Sequence, residues 1–259
     1  MRFIAWFILV LIPLAGCTNA AYKIPQREYR QQVKTLGVLP LLVDGRSAIV
    51  HPEAEAIVRL LRRVAEGRSP QLVETLRAGK GYFDVRLVQE PPVLLAEKLL
   101  GSGLRDSQGL PTGFKLDSQY LKDLCQRAAV DALLVMVLQG VEHEEKRWSR
   151  NTFEYLTTRF NDIMATAAVV TADGQRVWAL NGADATLIQP LQYPDFDEAY
   201  YNHTQKVRLK FISYAGLEKS LVPAATPNDD RIPAQPLTDW LDRVARALTP
   251  SFLSSLFAR

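Results

Sequence analysis

The chain has 259 residues with 31 Lys and Arg, 28 Asp and Glu, and two cysteines, and its formal net charge is +3. Acidic and basic residues are interspersed, so no basic patch of the kind that binds nucleic acid is present, and we expect no nucleic-acid partner. A chain of this length can bury one large core. We predict one domain over residues 34–222, followed at residues 223–259 by a proline-rich linker and an amphipathic helix packed on the domain.

The first sixteen residues have the composition of a secretory signal peptide. Arg2 is their only charge. The apolar stretch of residues 3–16 is about 21 Å long as a helix, short of the ~30 Å hydrocarbon core of a bilayer. An uncleaved membrane anchor is the alternative, but Pro13 and Gly16 weaken the helix where such an anchor needs it.

The apolar stretch ends in Leu14-Ala15-Gly16-Cys17, which resembles the lipobox of bacterial lipoproteins. The resemblance implies a diacylglyceryl group on the sulfur of Cys17 and cleavage before that residue. In this family an aspartate at the next position commonly signals retention in the inner membrane, and Thr18 stands there instead. We therefore expect a protein anchored by lipid to the periplasmic face of the outer membrane. One acyl chain binds a bilayer only reversibly, so stable anchoring relies on the several chains of the family.

The N-terminal part of the chain alternates strands with helices. Residues 17–33 are polar and lack a periodic apolar pattern, which predicts a flexible tether. Residues 36–43 form an apolar run typical of a strand covered on both faces, and residues 83–87 predict a second strand. Between these strands the sequence predicts a helix that opens at Pro52 and a shorter helix that opens at Ser69-Pro70.

The middle of the chain predicts two more helices and a loop. Residues 93–100 form the first helix, residues 101–114 form a loop rich in Gly and Ser, and Ser118 caps the second helix. Cys125 lies on the apolar face of that second helix. With Cys17 lipidated, no intramolecular disulfide can form, and we interpret Cys125 as a small buried hydrophobe rather than a reactive thiol.

The next segment predicts three consecutive antiparallel strands. Residues 132–138 are the most apolar of the mature chain and predict the central strand, and the charged residues 142–150 predict the far end of a hairpin. Residues 153–171 return as a long strand, and residues 177–188 pair back after the tight turn at Asp173-Gly174. Alternation places the following side chains on one side of the long strand: Leu156, Thr158, Phe160, Asp162, Met164 and Thr166.

The C-terminal part predicts two helices separated by the linker. Asp195 caps a long helix with apolar residues at helical intervals as far as Tyr214. A second apolar stripe runs over residues 237–248. The last apolar residues are interpreted as core packing, with a partner or membrane surface as the alternative: Phe252, Leu253, Leu256 and Phe257.

Together these elements predict an α/β protein with a mixed five-stranded sheet in the order βααβααβββα, flanked by helices and followed by C-terminal helices. Three segments resemble landmarks of a group of envelope lipoproteins: Val38-Leu39-Pro40, Ala129-Val130-Asp131-Ala132-Leu133 and Asp173-Gly174-Gln175-Arg176-Val177-Trp178. The group includes the curli secretion channel lipoprotein, the lipoprotein activators of penicillin-binding proteins and small lipoproteins of unassigned function. The resemblance covers residues 35–187.

The resemblance implies a protein that acts through protein contacts and carries no cofactor. The channel member of the group inserts a long alternating hairpin into the outer membrane. Here residues 142–153 are highly charged and lack the apolar alternation of a strand pair that faces lipid, which argues against pore formation.

No catalytic or metal-binding set stands out in the sequence. The three histidines, His51, His143 and His203, have no metal-ligand spacing. In a strand His143 would point away from its neighbours Glu142 and Glu144. Two other groups are assigned to structure: Arg77-Ala78-Gly79-Lys80-Gly81 follows a helix, unlike a phosphate loop, and Asp195, Asp197 and Glu198 suit a helix start.

The sequence therefore favours a non-enzymatic accessory of the cell envelope that binds another envelope protein or itself. Its only predicted site is the lipid attachment at Cys17, with no catalytic, metal or cofactor residues. Two alternatives stay open. One is an oligomeric component of a secretion channel, and the other is a periplasmic hydrolase that uses Asp44, Ser47 or His51 in the loop after the first strand.

Overall fold

A computed structural model describes residues 21–203, 206–222 and 236–249. The lipobox with Cys17, most of the linker and the last apolar residues lie outside this part of the chain. The helices are α1 Gln26–Gln32, α2 Ala54–Ala65, α3 Arg68–Ala78, α4 Pro92–Leu99, α5 Ser118–Ala128, α6 Phe196–Tyr201, α7 Tyr214–Leu221 and α8 Pro236–Leu248. The strands are β1 Thr35–Val38, β2 Leu42–Asp44, β3 Asp84–Leu87, β4 Leu100–Arg105, β5 Pro111–Leu116, β6 Ala132–Trp148, β7 Tyr155–Thr171, β8 Arg176–Leu180, β9 Thr186–Pro190, β10 Gln192–Asp195 and β11 Arg208–Phe211.

The main sheet is mixed and has seven strands, with the order β3-β1-β6-β7-β8. Strand β2 also pairs with β6, and β9 also pairs with β7. The pairs of β1 with β3 and β6 are parallel, whereas β7 is antiparallel to β6, β8 and β9. The predicted α/β class with a mixed sheet is confirmed. Seven strands replace five because Pro40 interrupts the first strand and a 3₁₀ turn at Gly182–Asp184 divides the last one.

Helices cover both faces of this sheet. The first hydrophobic core holds α2, α3, α7 and α8 against one face, and the second holds α4, α5 and Phe114 of β5 against the other. Because β6 is covered on both sides, its first ten residues are all buried, which explains their continuous apolar run. The apolar stripe of α8 is buried as its pattern predicts: Leu237, Trp240, Leu241, Val244, Ala245 and Leu248.

Residues 21–33, which the sequence predicts to be part of a flexible tether, are folded. Ala21 accepts a hydrogen bond from Ala179 N at 2.8 Å, so this segment lines the outer edge of β8. Helix α1 follows, with Tyr29 buried and its hydroxyl 2.7 Å from the Tyr82 hydroxyl. The pattern was missed because only Ala21, Tyr29 and Val33 are buried in this segment, too few to show a helical or alternating period.

The predicted loop at residues 101–114 is instead part of an antiparallel hairpin of β4 and β5. Gly101 is needed for the close approach of the two strands, since a Cβ there would lie 2.6 Å from the Lys115 carbonyl oxygen. Phe114 and Pro111 are buried while most of β4 is exposed. The apolar alternation that marks a strand is therefore absent from this sequence.

The predicted long helix after Pro194 is wrong. Asp195 caps a helix as expected, since its Oδ1 accepts a hydrogen bond from Glu198 N at 2.9 Å. The helix is only six residues long, however, and β11 returns to pair with β10, whose register places Asp195 opposite Arg208. Lys210 binds both Asp195 and Glu198, at 2.5 and 3.1 Å, so the acidic residues assigned to a helix start also hold this small hairpin together.

Candidate functional site

The most prominent feature of the structure is the hairpin of β6 and β7, in which seventeen residue pairs run from Ala132↔Thr171 to Trp148↔Tyr155. Its inner half is part of the sheet. The outer half, residues 142–161, extends past β2 and most of β9 as a two-stranded ribbon. The charged far end of a hairpin was predicted for this segment, and β6 and β7 do form that hairpin.

The tip of the ribbon carries exposed aromatic side chains. Trp148 is 51% exposed, Tyr155 is 55% exposed and Phe153 is 86% exposed. The rings of Trp148 and Tyr155 lie 5.0 Å apart. The ammonium of Lys146 lies 4.1 Å from the first ring centroid and 3.7 Å from the second, close enough for cation–π attraction to both. We call Lys146, Trp148, Phe153 and Tyr155 the aromatic tip.

One face of the ribbon behind the tip is exposed and mixed in charge. Glu142, Glu144 and Lys146 alternate along β6 on this face, and Arg159 lies across from Glu144 on β7. The Arg159 guanidinium is 3.9 Å from a Glu142 oxygen. Such a face resembles the polar rim that surrounds aromatic anchors in protein–protein interfaces.

The opposite face of the ribbon base holds a buried cluster of charged groups. The Asp162 side chain is fully buried, and its Oδ2 accepts hydrogen bonds from His143 Nε2 at 3.0 Å and from Arg147 Nη2 at 2.5 Å. Arg147 Nε also donates to Glu145 at 2.7 Å, and its guanidinium lies 3.9 Å from the Phe160 ring centroid. These side chains, His143, Glu145, Arg147 and Asp162, form the base cluster.

The base cluster fixes the ribbon to the rest of the molecule. Arg147 Nη1 donates to the carbonyl oxygen of Gln192 at 2.8 Å, which ties β6 to β10. The hydrogen bond to Asp162 raises the pKa of His143 above its ordinary value; burial of the imidazole opposes this shift. The protonated imidazole is favoured because its positive charge compensates the negative charge of the buried Asp162 carboxylate.

The base cluster also has the composition of a metal site, yet its geometry favours an ion-pair network. Among the described residues, His143, Glu145 and Asp162 place their potential ligand atoms within 4.8 Å of one another. Arg147 donates to both carboxylates, so its positive charge already compensates them and disfavours a divalent cation there. As predicted, His143 points away from Glu142 and Glu144, but it meets a carboxylate that is distant in sequence, Asp162.

The loop residues considered for a hydrolase do not come together. Ser47 Oγ donates to the backbone oxygen of Asp44 at 2.5 Å and accepts from Gly140 N at 2.8 Å. His51 uses both ring nitrogens on the backbone, since Nδ1 accepts from Glu53 N and Nε2 donates to the Ile212 carbonyl. Neither side chain is available to the other as nucleophile or base.

The remaining sequence candidates have structural roles or lie on the surface. Cys125 is buried in the second core, and burial raises the pKa of its thiol to about 11. Residues 77–81 form the end of α3 and the turn after it, and His203 is exposed in a turn. Sequence reasoning missed the aromatic tip and the base cluster. The available signals were aromatic residues beside a charged hairpin and a single acidic residue, Asp162, in a buried strand.

The fold defines a mixed α/β protein with helices on both faces of its sheet. No family model matches the sequence, and no curated protein matches it. A crystal structure of a neuraminyllactose-binding hemagglutinin homolog from Helicobacter pylori is similar at a TM-score of 0.35 and 11% identity. The match covers 87% of this chain and 89% of that one. Within the part of the chain that the structure describes, no helix has the length and apolar character needed to cross a bilayer.

Proposed function

We propose that this protein is a lipid-anchored accessory of the bacterial envelope that binds a partner protein through the aromatic tip and performs no chemistry of its own. The observation that carries the proposal is the exposure of Trp148, Phe153 and Tyr155 at the end of a ribbon that the base cluster orients. Tryptophan, tyrosine and arginine dominate the binding energy of protein interfaces. Three aromatic rings exposed together on a protein surface mark an interaction site.

The chemistry of the ribbon favours a protein partner over a lipid surface. Glu142, Glu144 and Arg159 lie on the same face as Trp148 and Tyr155, and the Lys146 ammonium lies against both rings. Charged side chains are costly to bury in hydrocarbon. At the polar rim of a protein interface they remain solvated and can be matched by opposite charges. We therefore expect a partner surface with an apolar pocket and a mixed, nearly neutral rim.

Site-specific photocrosslinking in intact envelopes tests the protein contact. A photoreactive residue at Phe153 is expected to form a discrete adduct with one envelope protein. The matched control is the same residue at Gln119, an exposed position on α5, where no adduct is expected. The double substitution Trp148→Ala, Tyr155→Ala should abolish the Phe153 adduct. Recovery of lipid alone, or equal yields from both positions, would contradict the proposal.

The anchor requires a separate experiment, because the fold could bind a partner without it. Mass spectrometry of the native N-terminus is expected to find a lipidated Cys17 as the first residue, and Cys17→Ser should abolish both the lipid and the cleavage, which leaves the leader attached. An unmodified sulfur or an intact leader would refute the anchor. An adduct with a second copy of this chain, together with oligomers after detergent extraction, would favour the channel component over the accessory.

A further inference from the structure

A cavity at the carboxyl ends of the parallel strands has no part in the proposed protein contact. Strands β1 and β3 are parallel neighbours. After β1 the chain passes through β2 to α2 on one face of the sheet, and after β3 it turns to α4 on the other face. In open α/β sheets, ligands bind in the crevice at such a switch point, outside the carboxyl ends of the strands.

The crevice contains a cavity of about 460 Å³, within the size range of small-molecule sites. Most of its wall is apolar. A second groove, also of about 460 Å³, shares Val43, Arg62 and Val93 with it and extends between α2 and α4. The apolar wall is formed by Leu41, Ala65, Pro70, Leu87, Val88 and Pro91.

Several features of the wall favour an anion. The N-termini of α3 and α4 both lie at the cavity, at Gly67 and Pro91, and neither has a side-chain cap. Helix N-termini carry a partial positive charge and free N–H groups. Arg62 also lines the cavity, and its guanidinium has no ion pair or hydrogen bond with any residue that the structure describes.

Two carboxylates also line the cavity, but they do not remove its preference for an anion. The carboxylate of Glu90 is already bound by Tyr120 and Arg127. Glu66 is exposed at the C-terminal end of α2, where it is free to turn into solvent. The N-termini of α3 and α4 are fixed by the backbone, whereas Glu66 and Arg62 are both exposed side chains that can turn toward or away from the cavity.

Ser69 gives an independent indication of a ligand. It lines the cavity and is only 3% exposed, and its hydroxyl has no hydrogen-bond partner among the described residues. A buried hydroxyl without a partner destabilises a fold. Ser69 lies in the first turn of α3, and its hydroxyl has one O–H group to donate beside the free N–H groups of that helix end.

We propose that this cavity binds an amphiphile with one anionic head, a carboxylate or phosphate, and a short apolar body. The head meets Arg62, Ser69 and the N-terminus of α3, and the apolar body lies against Leu41, Leu87 and Val88. This site is separate from the aromatic tip, and its existence does not depend on the proposed function.

Calorimetric titration of the full chain with Cys17→Ser tests the ligand class, because no acyl chain on the protein then competes for the cavity. Decanoate, below its critical micelle concentration, is expected to bind with one site per chain. Decanol and decyltrimethylammonium, which have the same tail, are expected to bind at least about tenfold more weakly, because they lack the negative head. Equal affinity for decanol would overturn the proposal.

Variants of the wall locate the binding site. Arg62→Gln should weaken decanoate binding about tenfold. Arg63→Gln makes the same charge change on the same helix, where the side chain pairs with Glu218, and should leave decanoate affinity unchanged. Val93→Trp, at an exposed position on the mouth, should abolish binding. Circular dichroism checks that each variant is folded. Equal effects of the two arginine changes, or full affinity in Val93→Trp, would overturn the assignment.

Ser69→Ala tests whether the Ser69 hydroxyl binds the ligand or is only an unpaired group that destabilises the fold. The variant should raise the thermal midpoint of the free protein and weaken decanoate binding at the same time. A higher midpoint with unchanged affinity would remove Ser69 from the site.

Vesicles distinguish a dissolved ligand from a membrane headgroup. Decanoate binding without sedimentation on phosphatidylglycerol vesicles assigns the site to a free amphiphile. Sedimentation that requires Arg62 assigns the same anionic chemistry to a lipid head. If the protein neither binds decanoate nor sediments with the vesicles, the proposal is overturned.

Discussion

The inner and outer halves of the β6–β7 hairpin differ sharply in burial, although they share the same two strands. The inner half, residues 132–141 and 162–171, lies between two cores and is almost entirely buried. The outer half has charged residues and an exposed aromatic tip. The same hydrogen-bonded strand pair therefore has two roles. The buried inner half stabilises the fold, and the exposed outer half presents side chains that can contact a partner.

Gly140 marks the boundary between the two halves. A Cβ at this position would lie 2.5 Å from the backbone oxygen of Ala48, because the loop after β2 crosses the strand there. Asn161 holds the loop in place, with its side chain donating to the Ala48 oxygen at 2.7 Å and accepting from Val50 N at 2.8 Å. Beyond this crossing the first core no longer covers β6.

Replacing one tryptophan on each side of the boundary should give the largest difference in the free energy of unfolding. Trp178 of β8 is fully buried beside the inner half, so Trp178→Ala should lower the free energy of unfolding by about 3–5 kcal/mol. Trp148→Ala, at the tip, should change it by less than about 1 kcal/mol. Urea denaturation followed by circular dichroism measures both. Similar losses would mean that the ribbon is as important to stability as the sheet.

The base cluster should contribute to stability as the inner half does, although three of its four side chains belong to the ribbon. Arg147→Met leaves the buried Asp162 carboxylate with His143 as its remaining partner, and the loss of stability should be about 3 kcal/mol. The control is Arg159→Met, which removes an exposed guanidinium 3.9 Å from Glu142 and should cost less than about 1 kcal/mol. Equal effects in urea denaturation would show that the cluster is not a buried charge network.

Stability should depend on pH through the same cluster. The hydrogen bond to Asp162 raises the pKa of His143 from 6.5, so the stabilisation from the protonated ring is complete below about pH 6.5. It is lost as the pH rises through the raised folded-state value. Urea denaturation at a series of pH values should therefore show a fall in stability above pH 6.5 that is absent in His143→Gln. The control His203→Gln, at an exposed position, should retain the fall.

Thiol labelling should show a smaller effect, a difference in accessibility between a buried thiol on α5 and a thiol on the exposed ribbon. In the Cys17→Ser background, buried Cys125 on α5 should react with a disulfide reagent at pH 8 only after addition of denaturant, because burial raises its pKa to about 11. A thiol introduced by Thr157→Cys, on the exposed face of the ribbon, should react at once in the native protein. Rapid labelling of native Cys125 would mean that α5 opens readily from the inner half.

The same contrast explains what the sequence could and could not predict. Residues 132–138 and the stripe of α8 are buried by neighbours on every side, so their apolar patterns were sufficient to identify them. The hairpin of β4 and β5 has few buried side chains, Gly101 serves close backbone approach and Gly109 and Gly113 adopt positive φ, so its sequence resembles that of a loop. The helix predicted after Asp195 failed because aromatic residues at helical spacing, such as Tyr200 and Phe211, are largely exposed or belong to a strand.

The candidate site was less predictable for a related reason. Asp162 was placed on the correct side of its strand together with Phe160 and Met164, but its partners depend on strand register. The pair of Val141 with Asp162 brings His143 and Arg147 of β6 to the same carboxylate. A sequence alone does not fix that register. Arg62, Ser69 and the two helix ends meet at the cavity only because α2, α3 and α4 converge there.

The position of β1 in the sheet also determines the order in which the molecule can assemble. Thr35 to Val38 pair with residues 84–87 on one side and, over three positions, with residues 132–134 on the other. Asp131 completes this junction by accepting hydrogen bonds from the backbone nitrogens of Lys34 and Thr35. During synthesis β1 must therefore wait about fifty residues for its partner β3 and about a hundred residues for its partner β6. The β6–β7 hairpin, whose two strands are joined by a short turn, can close as soon as it is made.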